Sequence, residues 1–344
     1  MQAVVIHAAH DLRVENYAAP DPDPGEVAVR ITNGGICGSD LHYYHHGGFG
    51  TVRLREPMVL GHEIAGVIES IGAGVTRVAP GDRVAVSPSL PCGCCRYCQE
   101  GHQQHCLDMR FYGSAMRFPH VQGAFRQRLV TTAGQCHRIA DGLTLAEAAM
   151  AEPLAVTLHA ARRAGPMLGR KVLVTGAGPI GALAIIAARR AGAEEIVATD
   201  VADGPLAFAA RVGADVTLNV AKRADALAPY KRDKGTFDIL FEASGNGRAL
   251  TEALEAVRPG GIVVQVGLGG NIDFPINMLV AKEIELRGTF RFHAEYELAV
   301  SLLGRGLVDV KPLLTETMPF TRAVEAFDLA SDRGRAMKVQ LSFD

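Results

Sequence analysis

Lys171-Val-Leu-Val-Thr-Gly-Ala-Gly-Pro-Ile-Gly-Ala-Leu-Ala-Ile-Ile-Ala-Ala-Arg-Arg190 decides the fold. Five strand-forming residues run into Gly176-x-Gly178-x-x-Gly181, and a helical pattern follows at once. The first glycine permits a tight turn, the second lets backbone approach a pyrophosphate, and the third lets helix and strand pack closely. An anion then rests on the helix N-terminus, where free N–H groups and the dipole favour it. Pro179 and Ile180 complete this phosphate turn. Glycine is common in this chain (38 residues), so the triplet alone is a weak signal, and its context supplies the strength.

Working outward, EIVATD ends at Asp200, 19 residues past Gly181, where a carboxylate can accept hydrogen bonds from an adenosine ribose. Val201 and Ala202 follow, with no arginine to hold a 2′-phosphate, so NAD is expected rather than NADP. PLAFAARVGA, FDILFEAS, ALTEALEAVRPGG and IVVQVGL continue the alternation of apolar strands with helices. Such βαβ units build a parallel, doubly wound sheet. Gly267, after the last of these strands, is a further expected cofactor contact.

Upstream the pattern changes. AVVI, EVAVRI, IAGVIESIG and DRVAVS are short and strand-like, separated by turns such as PDPDPGE and APGD. This half reads as an irregular β domain. Downstream, one amphipathic stretch (YELAVSLLGRG) and a terminal strand (KVQLSF) remain, and periodicity does not say which domain they join.

The 344 residues suit about two domains. Lys plus Arg number 35 and Asp plus Glu 37, a net charge of −2, without the basic stripe that grips nucleic acid. Hydrophobic residues make 48% and charged residues 21%, which excludes disorder and coiled coil. No basic flank precedes an apolar core in MQAVVIHAAHDLRVE, and Ile180–Ala188 falls short of the roughly 18 apolar residues of a membrane span. A cytoplasmic protein without membrane or nucleic-acid partners is expected. In that reducing setting cysteines serve as metal ligands or buried thiols rather than disulfides.

Five of the seven cysteines fall between Cys92 and Cys106. Cys92-x2-Cys95-x2-Cys98-x7-Cys106 offers four thiolates, enough for a closed tetrahedral Zn²⁺ site with a structural role. Cys94 is a bystander inside the run, and Cys136 reads as an ordinary buried thiol. Cys37 in GGICGSDLHYY and His62-Glu63 in VLGHEIAG offer a second, more open set of a thiolate, an imidazole and a carboxylate. Glu152 in MAEPLAV, flanked by apolar residues, needs a charge partner such as a metal if it is buried.

Cys37-Gly-Ser-Asp-Leu-His42, Gly61-His62-Glu63, the four-cysteine run, Glu152-Pro153 and GAGPIG, in this order, resemble the zinc-dependent medium-chain dehydrogenases, the alcohol and polyol dehydrogenase family. Glu152 stands where alcohol dehydrogenases carry a second cysteine ligand, so the resemblance is to the sorbitol dehydrogenase side. It implies an α/β protein in two parts. A GroES-like β-rich catalytic domain takes residues 1–153 and 289–344, and a Rossmann NAD-binding domain takes 154–288. It also implies a catalytic zinc on Cys37, His62 and either Glu63 or Glu152, and a proton relay through Ser39 and His42. Oxidation of an alcohol to a ketone on a sugar acid or polyol follows, in a dimer or tetramer of this chain. Tyr43 and Arg291 match positions that contact polyol hydroxyls in relatives. A substrate carboxylate calls for a guanidinium fork, for which Arg291, Arg110 and Arg117 are candidates with His120 nearby. The rival readings are a neutral polyol dehydrogenase, a threonine dehydrogenase and a catalytically silent NAD-binding protein.

Overall fold

A computed structural model describes residues 1–344. The glycine-rich turn lies at the centre of a six-stranded sheet, all parallel. Its order is Val216–Asn219, Glu195–Asp200, Lys171–Thr175, Phe237–Glu242, Val257–Gln265 and Glu285–Gly288. In chain order that is 3-2-1-4-5-6, the doubly wound arrangement. Alternation along Lys171–Thr175 shows how both faces are covered. Val172 and Val174 pack with Ile185, Ala188 and Ala209, whereas Leu173 packs with Leu250, Ala253 and Leu254 on the other side. The helices Pro179–Arg190 and Asp203–Arg211 cover the first face, and Gly247–Ala256 covers the second. Connections diverge between the strands Lys171–Thr175 and Phe237–Glu242, opening a crevice beyond their carboxyl ends. One boundary differs from the sequence pattern. The strand after ALTEALEA begins at Val257, before the Pro-Gly-Gly, and a register shift opposite Phe237 and Ile239 absorbs the irregular residues.

The other part is β-rich. Its largest sheet has seven strands, with Glu26–Gly35 at the centre. That strand pairs antiparallel with Glu63–Ile71 on one side and with Arg128–Thr132 and then Lys338–Ser342 on the other. Leu314–Pro319 lies beside Lys338–Ser342. Met318, Phe320, Phe327, Leu341 and Phe343 from the end of the chain share one core with Val4, Ile6, Val29 and Ile31 from its beginning. The helix Ala151–Ala164 bridges the two parts. Leu154 and Leu158 pack with Leu183 and Ile186 of the phosphate-turn helix and with Tyr296 and Leu303 of the helix Glu295–Gly304. No helix is long and apolar enough to cross a membrane.

Candidate active site

Each of the three glycines of the phosphate turn meets a different physical demand. Gly176 has φ +83°, a conformation that side chains rarely adopt. A Cβ on Gly181 would lie 1.8 Å from the Gly176 carbonyl oxygen, so helix and strand close only over a glycine. Gly178 faces open space and leaves its backbone accessible. Asp200 Oδ2 accepts from the N–H of Ala177 at 2.8 Å and Oδ1 from that of Ala202 at 3.0 Å, which fixes the carboxylate at the turn. Gly267 packs against Gly245, where a Cβ would stand 2.2 Å from the Gly245 nitrogen.

A cleft of about 760 Å³ runs from this turn to the β-rich part. Gly176, Gly178, Pro179, Ile180, Gly181 and Asp200 line one wall, and Cys37, Glu63 and Lys338 line the other. The ligand atoms of Cys37, His62 and Glu63 lie within 4.8 Å of one another. Gly61 aims His62: its φ is +90°, and a Cβ there would sit 2.1 Å from the Phe125 ring. Gly35 makes room for the carboxylate beside it, since a Cβ would lie 2.2 Å from Glu63 Oε2. Asp40 is fully buried, accepts from the N–H groups of Cys37 (3.0 Å) and Gly61 (3.2 Å), and stands 3.9 Å from His62 Nδ1. At that distance the two are charge neighbours without a hydrogen bond, and His62 Nδ1 is buried with no hydrogen-bond partner.

Burial, then the charge of Glu63, pushes the Cys37 thiol up to about 12, with Lys338 opposing. Burial likewise carries Glu152 up to about 8. Its carboxyl senses His62, Glu63 and Cys37 but lies outside the group whose atoms meet within 4.8 Å. A thiol that resists ionisation when buried becomes a good ligand once a divalent cation supplies the counter-charge. One thiolate, one imidazole and one carboxylate therefore fit zinc with a coordination position left open.

The second group is closed. The sulfurs of Cys92, Cys95, Cys98 and Cys106 all lie within 4.8 Å of one another, with Cys95 Sγ 3.6 Å from Cys98 Sγ and 3.9 Å from Cys106 Sγ. Backbone N–H groups of Cys94 and Cys95 pull the Cys92 thiol down to about 6. Cys94 is exposed and outside the group, and Cys136 is buried elsewhere. Four sulfurs fit a structural zinc.

The alcohol dehydrogenase GroES-like domain family matches residues 23–141, and the zinc-binding dehydrogenase family matches residues 179–305. The chain belongs to the zinc-dependent medium-chain dehydrogenases. It is 45% identical over 316 residues to L-idonate 5-dehydrogenase (NAD(P)(+)) of Escherichia coli K12, covering 92% of this chain and 91% of that protein. It is 37% identical over 346 residues to sorbitol dehydrogenase of Gallus gallus, covering 99% and 96%. The crystal structure of the Escherichia coli K-12 L-idonate 5-dehydrogenase superposes with a TM-score of 0.93 at 41% identity, over 99% of this chain and 97% of that one. The protein is thus an oxidoreductase that works with zinc and a nicotinamide dinucleotide.

In this dehydrogenase the remaining expected site residues divide. Ser39 and His42 lie three residues apart on the helix Gly38–His46, on one face of it, Ser39 half-buried and His42 exposed. Tyr43 is buried, and its hydroxyl accepts from the N–H of Ala115 at 2.9 Å. The Arg291 guanidinium lies 4.2 Å above the Phe111 ring and 5.0 Å from that of Phe290. Phe111 is itself 5.5 Å from the His62 ring, so one aromatic ring stands between Arg291 and His62. Burial pulls Arg291 down to about 10, while Glu152 and Tyr43 oppose, and no carboxylate pairs with it; its one polar contact is Met116 Sδ at 3.2 Å.

The other three expected substrate residues have these surroundings. Arg117 is tied through Nη1 to Asp108. His120 Nδ1 donates to the Arg117 carbonyl at 2.7 Å and Nε2 accepts from the Arg55 N–H at 2.9 Å, leaving no ring nitrogen for substrate. Arg110 is exposed on the two-residue strand Arg110–Phe111, and its backbone rather than its side chain is held there. Sequence reasoning also missed two groups. Lys338 is buried on Glu63, and Asp40 is buried behind His62. The only signals were a lone lysine opening an apolar terminal strand and an aspartate three residues after Cys37.

Proposed function

We propose that the chain oxidises L-idonate to 5-keto-D-gluconate with NAD, the activity of an L-idonate 5-dehydrogenase. The observation that carries this reading is Arg291, a half-buried guanidinium one aromatic ring away from His62 with no carboxylate of its own. A planar fork in that state is suited to the carboxylate of a sugar acid. The likeness to L-idonate 5-dehydrogenase supports the same substrate.

Cys37, His62 and Glu63 would hold zinc, which would supply a Lewis acid to the substrate hydroxyl, and a nicotinamide dinucleotide in the cleft would supply the hydride acceptor. The chain does the rest. Asp40 holds the backbone of Cys37 and of Gly61, the residue before His62, and Lys338 holds Glu63 at the ligand group. Glu152, whose pKa burial raises, lies outside the three-ligand group and is assigned to the wall of the site rather than to direct ligation. Tyr43 and Arg291 bind hydroxyl and carboxylate. Ser39 and His42 pass the released proton outward. Burial, then the charges of His46, His45 and Arg333, holds the His42 imidazole below its ordinary pKa, so it is free to accept. Asp200 receives the adenosine ribose, and uncharged Val201 beside it favours NAD over NADP.

The reading includes a catalytic domain of residues 1–153 and 289–344 around a nucleotide domain of 154–288, in a reducing cytoplasm that suits seven free thiols. It also includes a homo-oligomer. The strand Glu285–Gly288 leaves one edge of its sheet unpaired, and Leu286 beside it, with Ile276 and Val280 of the helix Ile276–Lys282, is exposed and apolar.

A specific observation favours one alternative. Tyr43 and Arg291 also suit neutral polyol hydroxyls, and the sorbitol dehydrogenases match 99% of the chain. Turnover of L-idonate, D-sorbitol, xylitol and L-threonine with NAD and NADP decides between them. The highest kcat/KM is expected for L-idonate with NAD; equal or better turnover of sorbitol or xylitol refutes the aldonate assignment.

A further inference from the structure

A second cleft of about 980 Å³ shares no lining residue with the dinucleotide cleft. The cysteine lobe from Tyr97 to His105 forms one wall. The last two turns of the helix Ala151–Ala164 and the segment Gly288–Glu295 form the others. Six of the side chains lining it are basic, two arginines and four histidines: His102, His105, His159, Arg162, Arg163 and His293. Glu295 is the one acid among the lining residues, and it is already saturated. It is 3% exposed and accepts from His159 Nδ1 (3.1 Å), Arg162 Nη1 (2.6 Å) and the His293 N–H (3.1 Å). Arg163 commits only Nε, to the Gly288 carbonyl at 3.1 Å, which leaves both terminal amino groups of its fork unused. His105 stacks on Phe290 with ring centroids 6.1 Å apart and planes 13° from parallel, fixing the lobe wall against the opposite one.

We propose that this cleft is a second small-molecule site, taking a compact oxyanion with at least two negative charges, phosphoryl or carboxylate. The free terminal amino groups of Arg163 and the surrounding imidazole donors, with the only acid neutralised in place, match planar or tetrahedral oxygens. Transition-metal binding does not fit, because no three ligand atoms of the cleft come within 4.8 Å of one another. The two oxyanion sources share the same donors, and the experiment separates them.

The zinc-loaded enzyme, saturated with NADH so that its dinucleotide cleft is filled, is titrated calorimetrically at constant ionic strength. The titrants are inorganic phosphate, succinate and acetate. One saturable site per chain is expected for phosphate or succinate, at least about tenfold tighter than for acetate. The stronger of the two identifies the source. Arg163→Gln with His102→Asn is expected to weaken that binding about tenfold or more, with NADH affinity unchanged. Arg163→Lys, which keeps the charge and loses the fork, is expected to give a smaller loss and serves should the double variant fold poorly. Absence of saturable binding by either dianion, acetate binding as tightly, or affinity untouched by both variants would overturn the proposal.

Discussion

Lys338 Nζ lies 2.8 Å from each carboxylate oxygen of Glu63, the two side chains being 3% and 1% exposed, and it also donates to the Ile36 carbonyl at 3.0 Å. The ammonium is thus the resident counter-charge of a carboxylate that also belongs to the open zinc group. Breaking a buried pair from one side leaves an uncompensated charge, at a cost of about 3–5 kcal/mol. Lys338→Met should therefore lower Tm, and lower it more in zinc-free than in zinc-loaded protein, where the metal supplies the missing charge. Thermal melts of both forms check this; equal drops would show that the ammonium and the metal do not share Glu63.

Arg291→Gln should separate binding from packing. A hydrogen bond to a charged group is worth about 1.5–3 kcal/mol, so kcat/KM for L-idonate should fall about 10- to 100-fold while that for D-sorbitol changes little. Steady-state kinetics on both substrates give the answer. Parallel losses would assign Arg291 to its stacking on Phe111 and Phe290 instead.

What could be read in the sequence was local. The glycine turn, Asp200 and the four cysteines each announce themselves within about thirty residues, because their chemistry fixes their spacing. The doubly wound sheet followed from the same alternation, and the structure has its six parallel strands. What stayed hidden was long-range. Glu63 and Lys338 are 275 residues apart and meet only because the last strand pairs beside Glu26–Gly35. Arg117 and His120 looked available because they sit in a polar stretch, yet Asp108, Arg55 and a backbone carbonyl already hold them. A side chain's prior engagement is a property of the folded neighbourhood and leaves no periodicity to detect.

Two zinc ions per chain are expected, and they should be separable. The lobe from Cys92 to Cys106 holds only a four-residue helix and a three-residue turn, with little core of its own, so metal binding is its folding energy. Cys98→Ser should remove one ion and lower Tm. Cys37→Ser should remove the other, abolish turnover and leave Tm nearly unchanged. Metal analysis with melts distinguishes the sites; loss of both ions from either variant would mean that the two are coupled.

Asp200→Asn should relax cofactor choice. The amide oxygen can keep one of the two bonds, to Ala177 or to Ala202, and the other is lost, while the negative charge that repels a 2′-phosphate is gone. The ratio of kcat/KM for NAD over NADP is expected to fall about tenfold. An unchanged ratio would place the discrimination elsewhere on the cleft wall.

Glu295 provides a pH signature away from the zinc groups. Burial alone would raise its pKa, but hydrogen bonds from His159 and from the backbone N–H of His293, together with the His159 charge, bring it down to about 2. A carboxyl depressed from 4.5 in the unfolded chain contributes fully above pH 4.5 and loses that contribution as pH falls towards 2, where the unfolded state binds the extra proton. Glu295→Gln should therefore be markedly less stable than the parent at pH 7, and the gap should narrow as the pH drops below 4.5. Urea melts at pH 7, 5 and 4 measure it; a gap that widened towards acid would show that His159 and Arg162 do not hold this group as a carboxylate.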